Sequence, residues 1–133
     1  MDGSKTDFGL KTGRGEGLNR DQRLRRSADY LRCYRRGRKR HGSLASLHYY
    51  REGHRDARLG ITASRKVGKA VVRHRVKRRV REIFRRFDQR DALAGLDIVV
   101  HLKPRAAQAS FETLSTELER LLHFLIRNLE KSS

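Results

Sequence analysis

The chain has 133 residues, with 33 Lys and Arg against 15 Asp and Glu, a formal net charge of +18 and an isoelectric point near 11.3. That length suits one domain with a modest core, and self-repulsion of this size is relieved by a polyanionic partner. Cys33 is the only cysteine, which excludes an intramolecular disulfide, and no apolar run reaches membrane-spanning length.

Residues 1–19 are basic and Gly-rich and show no periodicity, which predicts a disordered tail ahead of a single domain over 20–130. The N-terminus lacks the apolar core of a signal peptide. With a lone thiol, this predicts a soluble, cytoplasmic protein. A basic lead-in, NRDQRLRR, comes next. Ser27 reads as an N-cap with Asp29 in the first turn, opening a short helix that stops at Gly37.

Ser43–Tyr50 alternates as a strand, with Ala45, Leu47 and Tyr49 on one face and Ser46, His48 and Tyr50 on the other. The charged loop REGHRDA reads as a hairpin connection to a second strand, Arg58–Ser64. A central helix is expected from about Lys69 to Gln89, with Val72, Val76, Val80, Ile83, Phe84 and Phe87 on one stripe. Gly95 breaks the chain before a third strand, Asp97–Leu102, which Pro104 closes. Ser110 caps a last helix whose stripe is Phe111, Leu114, Leu118, Leu121, Leu122, Leu125 and Leu129.

The order is α-β-β-α-β-α, an α+β fold with two helices covering one face of a small mixed sheet. The other face, with Ser46, His48, Thr62 and Ser64, is too polar for core and is expected to stay open beside the first helix.

Arg65 to Arg86 carries eleven Lys or Arg and one acid, Glu82. A solvated helix face normally mixes both signs, so this one points to polyanion. The apolar stripe is needed for the core and no Trp is present, which argues against a membrane surface. The turn Ser64-Arg65-Lys66-Val67-Gly68-Lys69 suits phosphate at a helix start, but GxxxxGK[ST] is absent, so no nucleotide-hydrolysing site is inferred. Tyr30 and Tyr34 lie side by side at i and i+4, where unpaired bases could stack or where one ring could be core. His48 shares the polar side. No carboxylate pair, metal spacing or activated nucleophile is evident.

The string RLGITASRKVGKAVVRHRVKRRVRE resembles the signature of the bacterial ribonuclease P protein subunit: a strand ending in Ser-[Arg/Lys]-Lys, a Gly turn, then a helix opening with Arg-Asn-Arg. The resemblance runs from about Leu24 to Leu129 and includes Asp29-Tyr30…Tyr34…Gly37 and DIVVHLKP. It implies the fold of a domain of a small-subunit ribosomal protein and of domain IV of elongation factor G, with a left-handed βαβ crossover. It implies the protein subunit of an endoribonuclease that removes the 5′ leader of precursor tRNA, with the chemistry on the RNA subunit and its Mg²⁺ ions.

By the same resemblance, Arg65, Lys66, Lys69, Arg73, His74, Arg75, Lys77, Arg78 and Arg81 would hold the ribonuclease P RNA. Tyr30, Tyr34 and His48 would hold the single-stranded leader of precursor tRNA. No membrane and no DNA partner is expected. Here the triplet is Arg73-His74-Arg75; His keeps a donor and an acceptor but is bulkier than Asn. The competing readings are a ribosomal protein, which needs no leader cleft, and a DNA-binding module using the basic helix in the major groove.

Overall fold

The structure, a computed structural model, describes Leu18, residues 22–53 and residues 56–132. The expected tail lies outside the described residues except for Leu18, which packs against the main core. The elements are α1 (Ser27–Arg36), β1 (Arg38–His41), β2 (Ala45–Arg51), β3 (Arg58–Ala63), α2 (Ala70–Arg86), β4 (Leu96–Leu102) and α3 (Phe111–Ser132). Single 3₁₀ turns occupy Arg65–Val67, Arg90–Leu93 and Pro104–Gln108.

The strands lie in the order β1-β2-β4-β3; β4 is antiparallel to β2 and parallel to β3. The loop from β2 to β3 is therefore not a hairpin, contrary to the sequence expectation. β4 displaces the pairing because it is buried on both sides. Ile98, Val100 and Leu102 enter the main core, while Val99 enters a second cluster on the opposite face. Such a strand gains most from a central position with both faces covered.

The real hairpin joins β1 to β2, and β1 adds a strand that the sequence reading did not contain. Its residues Arg38, Lys39, Arg40 and His41 are all exposed, so it carries no burial pattern to read. Charged side chains on an edge strand also discourage pairing with other chains. Its turn is held from α3: the buried Glu117 carboxylate accepts from Ser43 N (3.1 Å), Ser43 Oγ (2.6 Å), Leu44 N (2.7 Å) and Ala45 N (3.1 Å).

The two amphipathic stripes bury as expected. Val76, Val80, Ile83 and Phe84 of α2 and Leu114, Leu118, Leu121, Leu122 and Leu125 of α3 meet Leu47, Tyr49, Leu59, Ile98 and Val100 of the sheet. α2 is shorter than expected, ending at Arg86 rather than near Gln89. Phe87 leaves the helix with ψ 118° yet stays buried. The Ser110 cap is present, its Oγ accepting from Thr113 N at 3.0 Å.

The opposite face is not open as expected. α1 lies on it, and Leu24, Cys33 and Val99 form a small cluster joined by Tyr30 and Tyr50. Ser46 and His48 are only 2% and 9% exposed. Polar strand residues are buried here because a helix, rather than solvent, supplies their neighbours.

Ser27 is not the N-cap. Arg26 holds that position without a side-chain cap, and Ser27 is the first helical residue. Gly37 does end α1, since a Cβ there would collide with the carbonyl oxygens of Tyr49 and Cys33. Burial pushes the Cys33 thiol up to about 12, so it behaves as a packed, unreactive group.

Candidate nucleic-acid interface

The Ser-Arg-Lys-Val-Gly-Lys turn works as a small scaffold. Ser64 Oγ accepts from Lys66 N at 3.3 Å, which opens the 3₁₀ turn, and Val67 anchors it in the core. Gly68 adopts φ 151° and ψ −172°, a conformation open essentially only to glycine. Arg73 then reaches back to Gly68 O at 3.0 Å. With the turn pinned below, Arg65, Lys66 and Lys69 stand exposed at the start of α2.

On α2, Arg73, Lys77 and Arg81 form one row, as the i+4 spacing predicts. Lys77 is half-buried between the other two, and burial followed by the charges of Arg81 and Arg73 lowers its pKa. Like charges at this spacing destabilise a helix by about 0.2–0.5 kcal/mol per pair, and a phosphate nearby removes that cost. His74 is partly exposed, and Arg75 and Arg78 are exposed. Val71, 71% exposed, shares their side at i+3, i+4 and i+7.

The far end of the helix differs. Glu82 accepts from Arg85 at 2.6 Å and from Arg86 at 2.5 Å, and the Arg85 bond in particular holds its carboxyl below the usual range. Arg79 is spent on Ala109 O at 3.2 Å. The cations most available to a partner therefore lie on the N-terminal two-thirds of α2 and its leading turn.

The polar platform has its own geometry. Tyr34 and His48 are in ring contact, with centroids 4.4 Å apart. The Tyr34 hydroxyl shares a hydrogen bond with Thr62 Oγ1 at 2.7 Å, and Thr62 Oγ1 shares another with His101 Nδ1 at 2.9 Å. His101 was missed in the sequence reading. The signal was present, because strand alternation in DIVVHL puts it on the face of Asp97 and Val99, directly opposite Ser46 in register.

The three leader candidates take different places. Tyr34 is 37% exposed and presents a ring to solvent. His48 lies beneath it as a packing partner. Tyr30 is half-buried with its ring close against Gly60, where any Cβ would collide with it. Burial raises the Tyr30 phenol's pKa, opposed first by its hydrogen bond with the Ile61 backbone and then by the charge of Arg81.

Burial, and then the charges of Lys39, His101 and His41, lower the His48 pKa to about 4 from an ordinary 6.5. The unfolded chain thus binds more protons than the folded one between those values. Stability from neutral His48 is full above pH 6.5 and is lost as pH falls towards 4. His48→Phe should flatten that part of the stability–pH profile in urea unfolding. An unchanged slope would assign the dependence to other groups.

The sequence pattern of the family Ribonuclease P matches residues 18–125. The chain is 40% identical over 121 residues to the "Ribonuclease P protein component" of Desulfovibrio desulfuricans, covering 87% of this chain and 92% of that one. The chain belongs to the ribonuclease P protein family. The RNase P protein from Thermotoga maritima superposes with a TM-score of 0.68 at 35% identity, covering 75% of this chain and 94% of that one. The Staphylococcus aureus RNase P protein gives a TM-score of 0.71 at 27% identity, covering 78% and 94%.

Processing of the tRNA 5′ leader is the function of the ribonuclease P family, and the chain is a component of that endoribonuclease, partnered with the ribonuclease P RNA. The ribosomal-protein and DNA-binding readings are set aside by these matches. The mixed α+β fold is also that of the family. Among the described residues no helix is long and apolar enough to cross a membrane.

Proposed function

We propose that this ribonuclease P protein holds its RNA partner with the N-terminal part of α2 and its leading turn, and holds the precursor leader by stacking one base on Tyr34. Arg65, Lys66, Lys69, Arg75 and Arg78 contact phosphates together with the row Arg73, Lys77 and Arg81, and His74 lies among them. The observation that carries the leader assignment is the Tyr34 ring. It is accessible on the outside, backed by His48, and fixed in orientation by its hydroxyl bond to Thr62. A ring held in this way loses little freedom when a base stacks on it.

On this reading the bond-breaking chemistry belongs to the RNA and its Mg²⁺, and the protein acts by binding in the cytoplasm. Among the described residues no group of three or more His, Cys, Asp or Glu side chains is placed to hold a metal ion.

Tyr34→Ala should weaken holoenzyme binding of precursor tRNA by about 1–3 kcal/mol while leaving mature tRNA unchanged. From the sequence alone a Tyr→Phe change is expected to be nearly neutral. The structure separates the two positions. The Tyr30 hydroxyl makes a long 3.4 Å bond to Leu24 O and also meets the Ile61 backbone, so Tyr30→Phe should lose a little folding stability and leave precursor binding nearly unchanged. Tyr34→Phe loses the 2.7 Å bond to Thr62 and should cost about 0.5–1.5 kcal/mol in folding stability, with a smaller loss in precursor binding from the freed ring. Equal losses for precursor and mature tRNA would make the ring structural.

A further inference from the structure

The basic lead-in before α1 has no part in either surface above, yet the fold gathers it. Arg23, Arg25 and Arg26 line a recess of about 570 Å³ together with Asp29 and Arg32 of α1, Glu52 and Gly53 after β2, and Arg58 of β3. Five arginines face two carboxylates there. The segment is held in place by its backbone: Arg23 bridges to Leu59, and Leu24 N donates to Leu59 O at 2.9 Å.

Two of the arginines form a rigid floor. Arg58 grips the buried Asp97 with two 2.8 Å bonds. Arg32 is bonded to Asp29 at 3.3 Å and to Glu52 at 3.1 Å, and its guanidinium lies 5.8 Å from the Tyr50 ring centroid. The other cations form the rim. Arg25 and Arg26 are exposed and have no ion-pair partner among the described residues.

We infer that this recess is a second phosphate-binding site, taking consecutive phosphodiesters of an RNA strand. Arginine forks match phosphate oxygens two at a time, and a floor already fixed by carboxylates needs no ordering on binding. The carboxylates orient the floor while the rim supplies excess positive charge. The recess lies on the α1 side of the sheet, whereas α2 packs on the other side. The recess therefore shares no lining residue with the α2 surface. The inference rests on the RNA partner already assigned and is independent of stacking at Tyr34.

Two sources share this chemistry, the ribonuclease P RNA and the leader, and the test separates them. The Arg25→Ala/Arg26→Ala double variant and Glu52→Gln are each compared with wild type in two arms across a salt series. One arm measures affinity for the ribonuclease P RNA. The other measures reconstituted holoenzyme binding to precursor tRNA with a long or a truncated leader. In at least one arm the double variant should bind more weakly at low salt. There its slope of log affinity against log salt should fall by about 1.4–1.8, from 0.7–0.9 per phosphate contact.

Glu52→Gln removes a negative charge from the lining and should strengthen binding in that same arm. A loss confined to the long leader identifies the leader; a loss in the first arm identifies the catalytic RNA. Unchanged affinity and slope in both arms would overturn the site, as would a loss identical at low and high salt. A wild-type protein insensitive to salt in both arms would instead overturn phosphate binding by this chain altogether.

Discussion

Glu117→Ala should lower the free energy of unfolding by about 3–5 kcal/mol, because three backbone N–H groups of the β1–β2 turn lose their acceptor at about 1–3 kcal/mol each. The carboxylate on α3 is the common partner of Ser43, Leu44 and Ala45, and Leu44 and Ala45 are buried where water does not easily replace it. For a domain of this size the melting temperature should fall by roughly 10–20 °C. Lys103, whose Nζ donates to Gly42 O at 2.5 Å, would hold the turn only from its other side. Glu117→Gln keeps one acceptor oxygen and should cost less than half as much. Urea unfolding of the three proteins decides the matter. A Glu117→Ala loss below about 1 kcal/mol would mean that the β1–β2 ladder holds the turn unaided.

The second large effect concerns RNA affinity and leaves the fold alone. Arg75 and Arg78 are exposed, with no ion-pair partner among the described residues. Reversing both, Arg75→Glu/Arg78→Glu, should weaken binding of the ribonuclease P RNA on the order of 100-fold at low salt and lower the salt slope by about 1.8. Thermal unfolding should be little changed. Arg86→Ala, by contrast, removes a charge already engaged by Glu82 and should have only a small effect on affinity. Binding isotherms over a salt series read both variants. Equal losses for the Arg75/Arg78 and Arg86 variants would show that α2 acts through overall charge rather than through its N-terminal part.

Much of the site was legible because local patterns report local structure. The apolar stripe Val72, Val76, Val80, Ile83 and Phe84 named the buried side of α2, and Arg75 and Arg78 off that stripe were thereby placed in solvent. Strand alternation put His48 and Thr62 on the face opposite Leu47 and Ile61, and they are there. The same alternation would have found His101. Residue spacing could not distinguish the roles of Tyr30 and Tyr34. Both lie on one side of α1, but one ring meets the backbone at Gly60 while the other overhangs His48.

The sequence by itself determined the family, the two amphipathic helices with their stripes, the three apolar strands and the cationic helix. Each is encoded in a contiguous run, where periodicity and charge act over a few residues. The tertiary structure alone decided the strand order, since pairing depends on which strand is covered on both faces. It decided that β1 exists, since three cationic residues and a histidine become a strand only when β2 offers its hydrogen bonds. It decided that Ser46 and His48 are buried, because α1 folds back over a face that reads as polar. It also brought Arg23, Arg25 and Arg26 beside Arg32 and Arg58. Contacts between residues far apart in the chain arise from the packing of whole elements, and no short stretch of sequence contains them.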